Sequence, residues 1–233
     1  MKIYYAKISG LAEERIQKAM QFLPEERISR IEKSKQKKNQ KQSLAAGVLL
    51  EYALRKEGIV GKTVTFQKNA DGKPYIKEYP NLYYNLSHSN DYVALVVDEH
   101  PVGIDIEHLR IGYQKLVKRF FSEEEVEALT GNWSDELFTK LWTRKESYLK
   151  ATGYGMRMPL DGFSVLDECV QTNQKMNTKM INPGVVYYLS SFEPEEDYWL
   201  SVCRKDEPVT KLDSVILQKV DLEKGIDSLC MMN

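Results

Sequence analysis

Asp98-Glu99-His100-Pro101-Val102-Gly103-Ile104-Asp105-Ile106-Glu107 is the stretch that decides the fold. The polar, proline-bearing run 98–101 interrupts the chain, and a strand starts afresh at Val102. Ahead of it, Lys2 to Ile8 alternates as a strand, while Leu11 to Leu23 and about Gln40 to Glu57 carry helical apolar spacing. Strands follow at Thr63 to Gln67, Leu82 to Ser87 and Tyr92 to Val97. Behind it the order recurs. A strand, Val102 to Glu107, precedes helical Tyr113 to Phe121, Ser122 to Thr130 and Ser134 to Thr152; strands near Phe163 to Leu166, Val185 to Phe192 and Tyr198 to Arg204 complete it. The expected fold class is therefore α+β: two similar α+β halves in tandem, forming a pseudo-dimer with the active site at their interface, where clefts commonly take ligands. The expected divisions are 1–101, 102–221 and a tail, 222–233. Gln171 to Pro183 reads as a mobile loop.

Composition narrows the function. At 233 residues the chain is long enough to bury a core without a metal or disulfide. A formal charge of −1 argues against general nucleic-acid binding. No apolar run approaches the roughly 18 residues of a membrane span, and the start lacks the layout of a signal peptide. Cys169, Cys203 and Cys230 form no close pair, which fits idle thiols in a reducing cytoplasm. Charge is uneven, however. Arg27, Arg30, Lys33, Lys35, Lys37, Lys38 and Lys41 face a single acid, Glu32, a run suited to phosphates or to a solvated helix face.

On the strand Val102 to Glu107, alternation turns Ile104 and Ile106 to a core and puts Asp105 and Glu107 on the other face, about 6.6 Å apart. Two carboxylates so placed suit Mg²⁺, which takes one or two carboxylates plus phosphates and waters; an exposed edge strand explains them equally simply. Glu146, at the border of the apolar stripe of Ser134 to Thr152, adds a third acid, with Lys150 one turn on; an ordinary surface pair at that spacing is the alternative. Lys145 falls inside the apolar arc and must snorkel or find an acidic partner. His88, flanked by Ser87 and Ser89 at a strand end, suits a phosphate or ribose, or a structural role. Ser122 with Glu125 is a capping box; Glu125 serves as a general base only if it also reaches the cleft. Gly-rich phosphate loops and a nucleophile elbow are absent from the sequence.

Five segments in this order and spacing resemble the larger, pseudo-dimeric class of 4′-phosphopantetheinyl transferases: Gly72-Lys73-Pro74, Asn85-Leu86-Ser87-His88-Ser89, Gly103-Ile104-Asp105-Ile106-Glu107, Arg119-Phe120-Phe121-Ser122, and Leu141-Trp142 through Lys145-Glu146-Ser147 to Lys150. The resemblance implies transfer of the phosphopantetheine arm of coenzyme A to a serine of an apo acyl or peptidyl carrier protein, releasing 3′,5′-ADP. It makes Asp105, Glu107 and Glu146 ligands of Mg²⁺, and Lys150 a contact of the pyrophosphate. Lys73, Ser87 and His88 become coenzyme A contacts, and Glu125 the proposed base. Family cations on the early helix hold the 3′-phosphate; here Glu26 and Ser29 fall near those places, with Arg27, Arg30 and Lys33 beside them. A cytoplasmic monomer is expected, without nucleic acid or membrane as partner. A Mg²⁺-dependent phosphohydrolase or nucleotidyl transferase, and a non-catalytic module binding coenzyme A or a carrier, are the alternatives. Carrier docking is expected on an apolar patch of the helix containing Leu116 and Val117.

Overall fold

The computed structural model describes residues 1–9, 11–172, 185–205 and 215–231. The expected mobile loop, Gln171 to Pro183, lies outside them beyond Thr172. The first half contains β1 (Lys2–Lys7), α1 (Glu13–Met20), α2 (Glu25–Lys33), α3 (Lys37–Lys56), β2 (Phe66–Lys68), β3 (Pro74–Ile76), β4 (Tyr83–Ser89) and β5 (Tyr92–Asp98). The second contains β6 (Val102–His108), α4 (Val117–Phe120), α5 (Glu123–Gly131), α6 (Asp135–Thr152), β7 (Phe163–Ser164), β8 (Gln171–Thr172), β9 (Tyr187–Glu195) and β10 (Tyr198–Lys205). The protein is α+β, and its halves share a topology. In the first, β5 lies antiparallel between β1 and β4; in the second, β10 lies antiparallel between β6 and β9. One long helix, α3 or α6, packs on each sheet.

Period-two alternation sorts the strands into three cores. Tyr4 and Ala6 of β1 and Val93, Leu95 and Val97 of β5 meet α3 in the first core. Ile3, Tyr5, Tyr92, Ala94 and Val96 turn the other way. There they meet Val102, Ile104 and Ile106 of β6 and Leu200 and Val202 of β10, so the two sheets bury their inner faces against each other. A third core lies under α6, around Phe138, Leu141, Tyr148 and Leu149. Ile104 and Ile106 thus occupy the inter-sheet core, leaving Asp105 and Glu107 on the face towards α6.

Gly103 makes that face usable. A Cβ at this position would lie 2.1 Å from the Ser147 carbonyl oxygen and 2.4 Å from the Ala151 nitrogen. With no side chain, β6 presses directly against the backbone of α6, which brings Lys150 down to Asp105.

The stretch 222–233, expected as a tail, contains a helix instead. Leu222, Ile226 and Leu229 recur at helical spacing and are buried in α7 (Leu222–Met231), which packs on α3 and α1. Before it, β11 (Ile216–Lys219) runs parallel to β1, so the end of the chain completes the first sheet. Among the described residues this element has no counterpart in the second half, which is why the repeat in the sequence does not reveal it.

Candidate functional site

β4 ends beside β6, and side chains cross between the halves. Asn85 Oδ1 accepts from the Ile104 amide at 2.9 Å. Ser87 Oγ donates to Asp105 Oδ1 at 2.7 Å, and Ser89 Oγ donates to Glu107 Oε2 at 2.7 Å. Alternation on β4 sends 85, 87 and 89 to the same side, so the strand presents one polar group to each residue it meets on β6. From α6, the Lys150 ammonium donates to Asp105 Oδ1 at 2.7 Å, to Ser87 Oγ at 3.0 Å and to the Ile104 carbonyl at 3.1 Å.

The carboxylate cluster is crowded. Asp105 is 4% exposed, and its Oδ2 is buried without a hydrogen-bond partner. Glu146 is half-buried on α6; burial raises its pKa, and the charge of Asp105 raises it further against the opposing pull of Lys150. Glu107 is occupied on both oxygens, by Ser89 and by Arg110 Nη2 at 2.5 Å. Among the described residues no group of three His, Cys, Asp or Glu side chains stands ready to hold a metal ion. The donors nonetheless suit a hard cation: one buried carboxylate oxygen lacks a partner, and burial and then like charge raise the pKa of a neighbouring carboxyl.

Two adjoining cavities run past the cluster. One, of about 760 Å³, is lined by Lys73, Glu146, Lys150, Arg119, Phe120 and Trp142. The other, of about 850 Å³, is lined by Arg27, Arg30, Lys68 and His88; Pro74 and Asn85 border both. Lys73 donates to the Val102 carbonyl at 3.0 Å and the Ala151 carbonyl at 2.9 Å; burial pushes its ammonium down to about 8. His88 is exposed at the rim, and desolvation, followed by the Lys150 charge, holds its imidazole below the usual value.

The structure therefore gathers Asp105, Glu107, Glu146, Lys150 and Ser87 into one cluster; Lys73, Glu146 and Lys150 line one cavity, and His88, Arg27 and Arg30 line its neighbour. Glu125 is elsewhere. It is fully buried, and its carboxylate accepts from the Ser122 amide at 2.8 Å and the Val165 amide at 2.8 Å. The Lys145 ammonium completes it at 2.7 Å, with both side chains at 0% exposure. The capping box is real, and the expected general base is sequestered. The same pair answers the sequence anomaly of Lys145: its acidic partner is Glu125, with the Leu160 and Phe163 carbonyls at 2.7 Å. In the expected docking patch Val117 is buried in the core under α6 and Leu116 is half-buried. Arg110 is the cluster residue that sequence patterning passes over. It lies beyond the strand, and nothing in its spacing marks the Trp142 ring that it covers.

Comparison with known proteins follows the same two-part division. A model described as the 4′-phosphopantetheinyl transferase superfamily matches residues 101–203, and one described as 4′-phosphopantetheinyl transferase, N-terminal, matches residues 12–100. A 4′-phosphopantetheinyl transferase of Bacillus subtilis is 32% identical over 171 residues, covering 72% of this chain and 75% of the relative. The transferase gsp of Aneurinibacillus migulanus is 34% identical over 181 residues, covering 75% and 73%. The transferase Sfp of Bacillus subtilis is 29% identical over 208 residues, covering 87% and 92%. With both halves matched in chain order and the cross-strand cluster lying where they meet, the chain belongs to the 4′-phosphopantetheinyl transferase superfamily.

Proposed function

We propose that this protein transfers the 4′-phosphopantetheine arm of coenzyme A to a serine of an apo acyl or peptidyl carrier protein, with Mg²⁺, releasing 3′,5′-ADP. The observation that carries this reading is a pair of adjoining cavities, one lined by Arg27, Arg30 and His88 and the other by Lys73, Lys150 and Glu146. That spread of cations suits an extended polyanion with phosphates at two places. In this reading Arg27 and Arg30 serve the 3′-phosphate, and His88, Lys73 and Ser87 contact the nucleotide. Asp105 and Glu146, with Glu107 beside them, would hold Mg²⁺, which when bound supplies Lewis-acid polarisation of the pyrophosphate. The serine oxygen forms the new bond to phosphorus as the bond to 3′,5′-ADP breaks, and its hydroxyl proton passes to water in the cleft or to the departing phosphate. Lys150, on α6 and 2.7 Å from Asp105, meets the negative charge growing on the leaving group. Glu125 takes no proton in this scheme, since its oxygens face buried donors.

Carrier docking belongs on the segment that follows β6. Ile111 is 72% exposed there, and Lys115, Lys118 and Arg119 are exposed around it, with Arg119 reaching the cleft. We further propose 1–101 and 102–221 as the divisions of the chain, with β11 of the second adding a strand to the sheet of the first, and a monomer working in the cytoplasm. No described helix is long and apolar enough to cross a membrane.

Intact-protein mass spectrometry of an apo carrier incubated with the protein, coenzyme A and Mg²⁺ tests the proposal. The expected result is a gain of one phosphopantetheine arm that EDTA abolishes. Free 3′,5′-ADP without modified carrier, or bound coenzyme A without turnover, overturns it.

Lys73 adds a pH prediction. Its ammonium deprotonates as pH rises through about 8, so attraction for the phosphates falls and the KM for coenzyme A rises. Lys73→Arg keeps its charge and flattens that rise, read by steady-state kinetics between about pH 7 and 9. Stability moves the other way. The unfolded lysine binds more protons than the folded one above about 8, so folding gains as pH rises from there towards the ordinary lysine range.

A further inference from the structure

Arg110 is built into the cluster from three sides. Its amide donates to Thr139 Oγ1 on α6 at 2.9 Å, which fixes the backbone. Its guanidinium lies over the Trp142 ring at 4.8 Å and the Tyr113 ring at 5.4 Å. Nη2 donates to Glu107 Oε1 at 2.5 Å, and Nε is buried without a hydrogen-bond partner. An arginine serving only as a surface ion pair would not have its Nε desolvated between aromatic rings.

The arrangement pairs each strand carboxylate with its own cation: Lys150 on Asp105, Arg110 on Glu107. Two cations against three carboxylates leave a formal charge of −1. A free divalent ion is drawn weakly to such a cluster, while the same ion arriving with pyrophosphate brings its own ligands and countercharge. We propose that Arg110 is a positioning residue that lowers the affinity of the carboxylate cluster for a free divalent cation, so that the ion binds tightly only together with its phosphate ligand. This rests on reading Asp105, Glu107 and Glu146 as a cation site. It adds a residue whose charge sets how that site is filled.

The test titrates Mn²⁺ into the full-length protein without coenzyme A and follows free Mn²⁺ by electron paramagnetic resonance. Arg110→Met keeps an apolar stem on Trp142 and removes the charge; Arg110→Gln removes the charge with a different shape; Arg110→Lys keeps it. The expected result is Mn²⁺ affinity raised about tenfold or more in both neutral variants, with Arg110→Lys near wild type. Circular dichroism identifies the variants that have folded, and either neutral variant suffices. Wild-type binding that the neutral variants leave unchanged or weaken removes the role of Arg110 and leaves the cation site standing. Tightening in Arg110→Lys equal to that in the neutral variants also overturns it, since charge would not be the cause. No Mn²⁺ binding in any form removes the site itself, and this inference with it.

Discussion

Glu146→Gln lowers carrier modification by a hundredfold or more, on the order expected when a charge that acts in the transition state is lost, and leaves the protein folded. Glu146 occupies the border between the apolar stripe of α6 and the cleft, four residues past Trp142 and four before Lys150. Glutamine keeps its volume and its capacity to bond. It removes the negative charge that a cation in the cleft would use, and it leaves Lys150 facing Asp105 alone. The cost falls on turnover and not on folding, because burial and the charge of Asp105 already disfavour the ionised carboxyl. A carboxyl whose pKa rises on folding contributes stability below its ordinary value and loses that contribution as pH climbs through the folded one. Glu146→Gln therefore flattens this loss and melts at the same temperature as wild type, or above it, at neutral pH. Single-turnover mass spectrometry and thermal unfolding on one preparation separate the two effects. Near-normal turnover removes Glu146 from the reacting site.

The fold is legible in the sequence where a residue's neighbours along the chain determine its place. Alternation alone assigns Ile104 and Ile106 to a core and Asp105 and Glu107 to the opposite face, and the packing follows it. The repeat of strand, long helix and hairpin is legible because each half must bury a sheet face under its own helix. What stayed hidden depends on contacts across many residues. Arg110 gains its surroundings from Trp142, thirty-two positions on, through the packing of α6. β11 pairs with β1 across almost the whole chain, a parallel partnership that no local pattern announces. Lys145 is the intermediate case. Its position in the apolar arc demands an acidic partner, but only the fold identifies that partner as Glu125, which the sequence had offered to the chemistry.

That assignment makes Glu125→Gln a stability variant, and the expected loss is about 3–5 kcal/mol, the cost of stripping one partner from a buried ion pair. Both oxygens of Glu125 accept from fixed donors: the Ser122 amide and the Lys145 ammonium on one, the Val165 amide on the other. Glutamine must turn its NH₂ towards one of these donors, so a bond becomes a clash of two N–H groups. Lys145 then keeps only the Leu160 and Phe163 carbonyls. Burial already holds its ammonium below the ordinary lysine value, and Glu125 is what opposes that shift. Without the carboxylate the folded lysine gives up its proton more readily than the unfolded one, so the deficit narrows as pH rises. Denaturant unfolding at two pH values reads both the loss and its direction. Adding Lys145→Met to Glu125→Gln recovers much of the stability, because an apolar side chain needs no countercharge in that position. Turnover per folded molecule stays within a few-fold of wild type throughout, since no oxygen of Glu125 faces the cleft. A hundredfold fall in turnover with stability unchanged would return Glu125 to the chemistry, and would require its helix cap to open during catalysis.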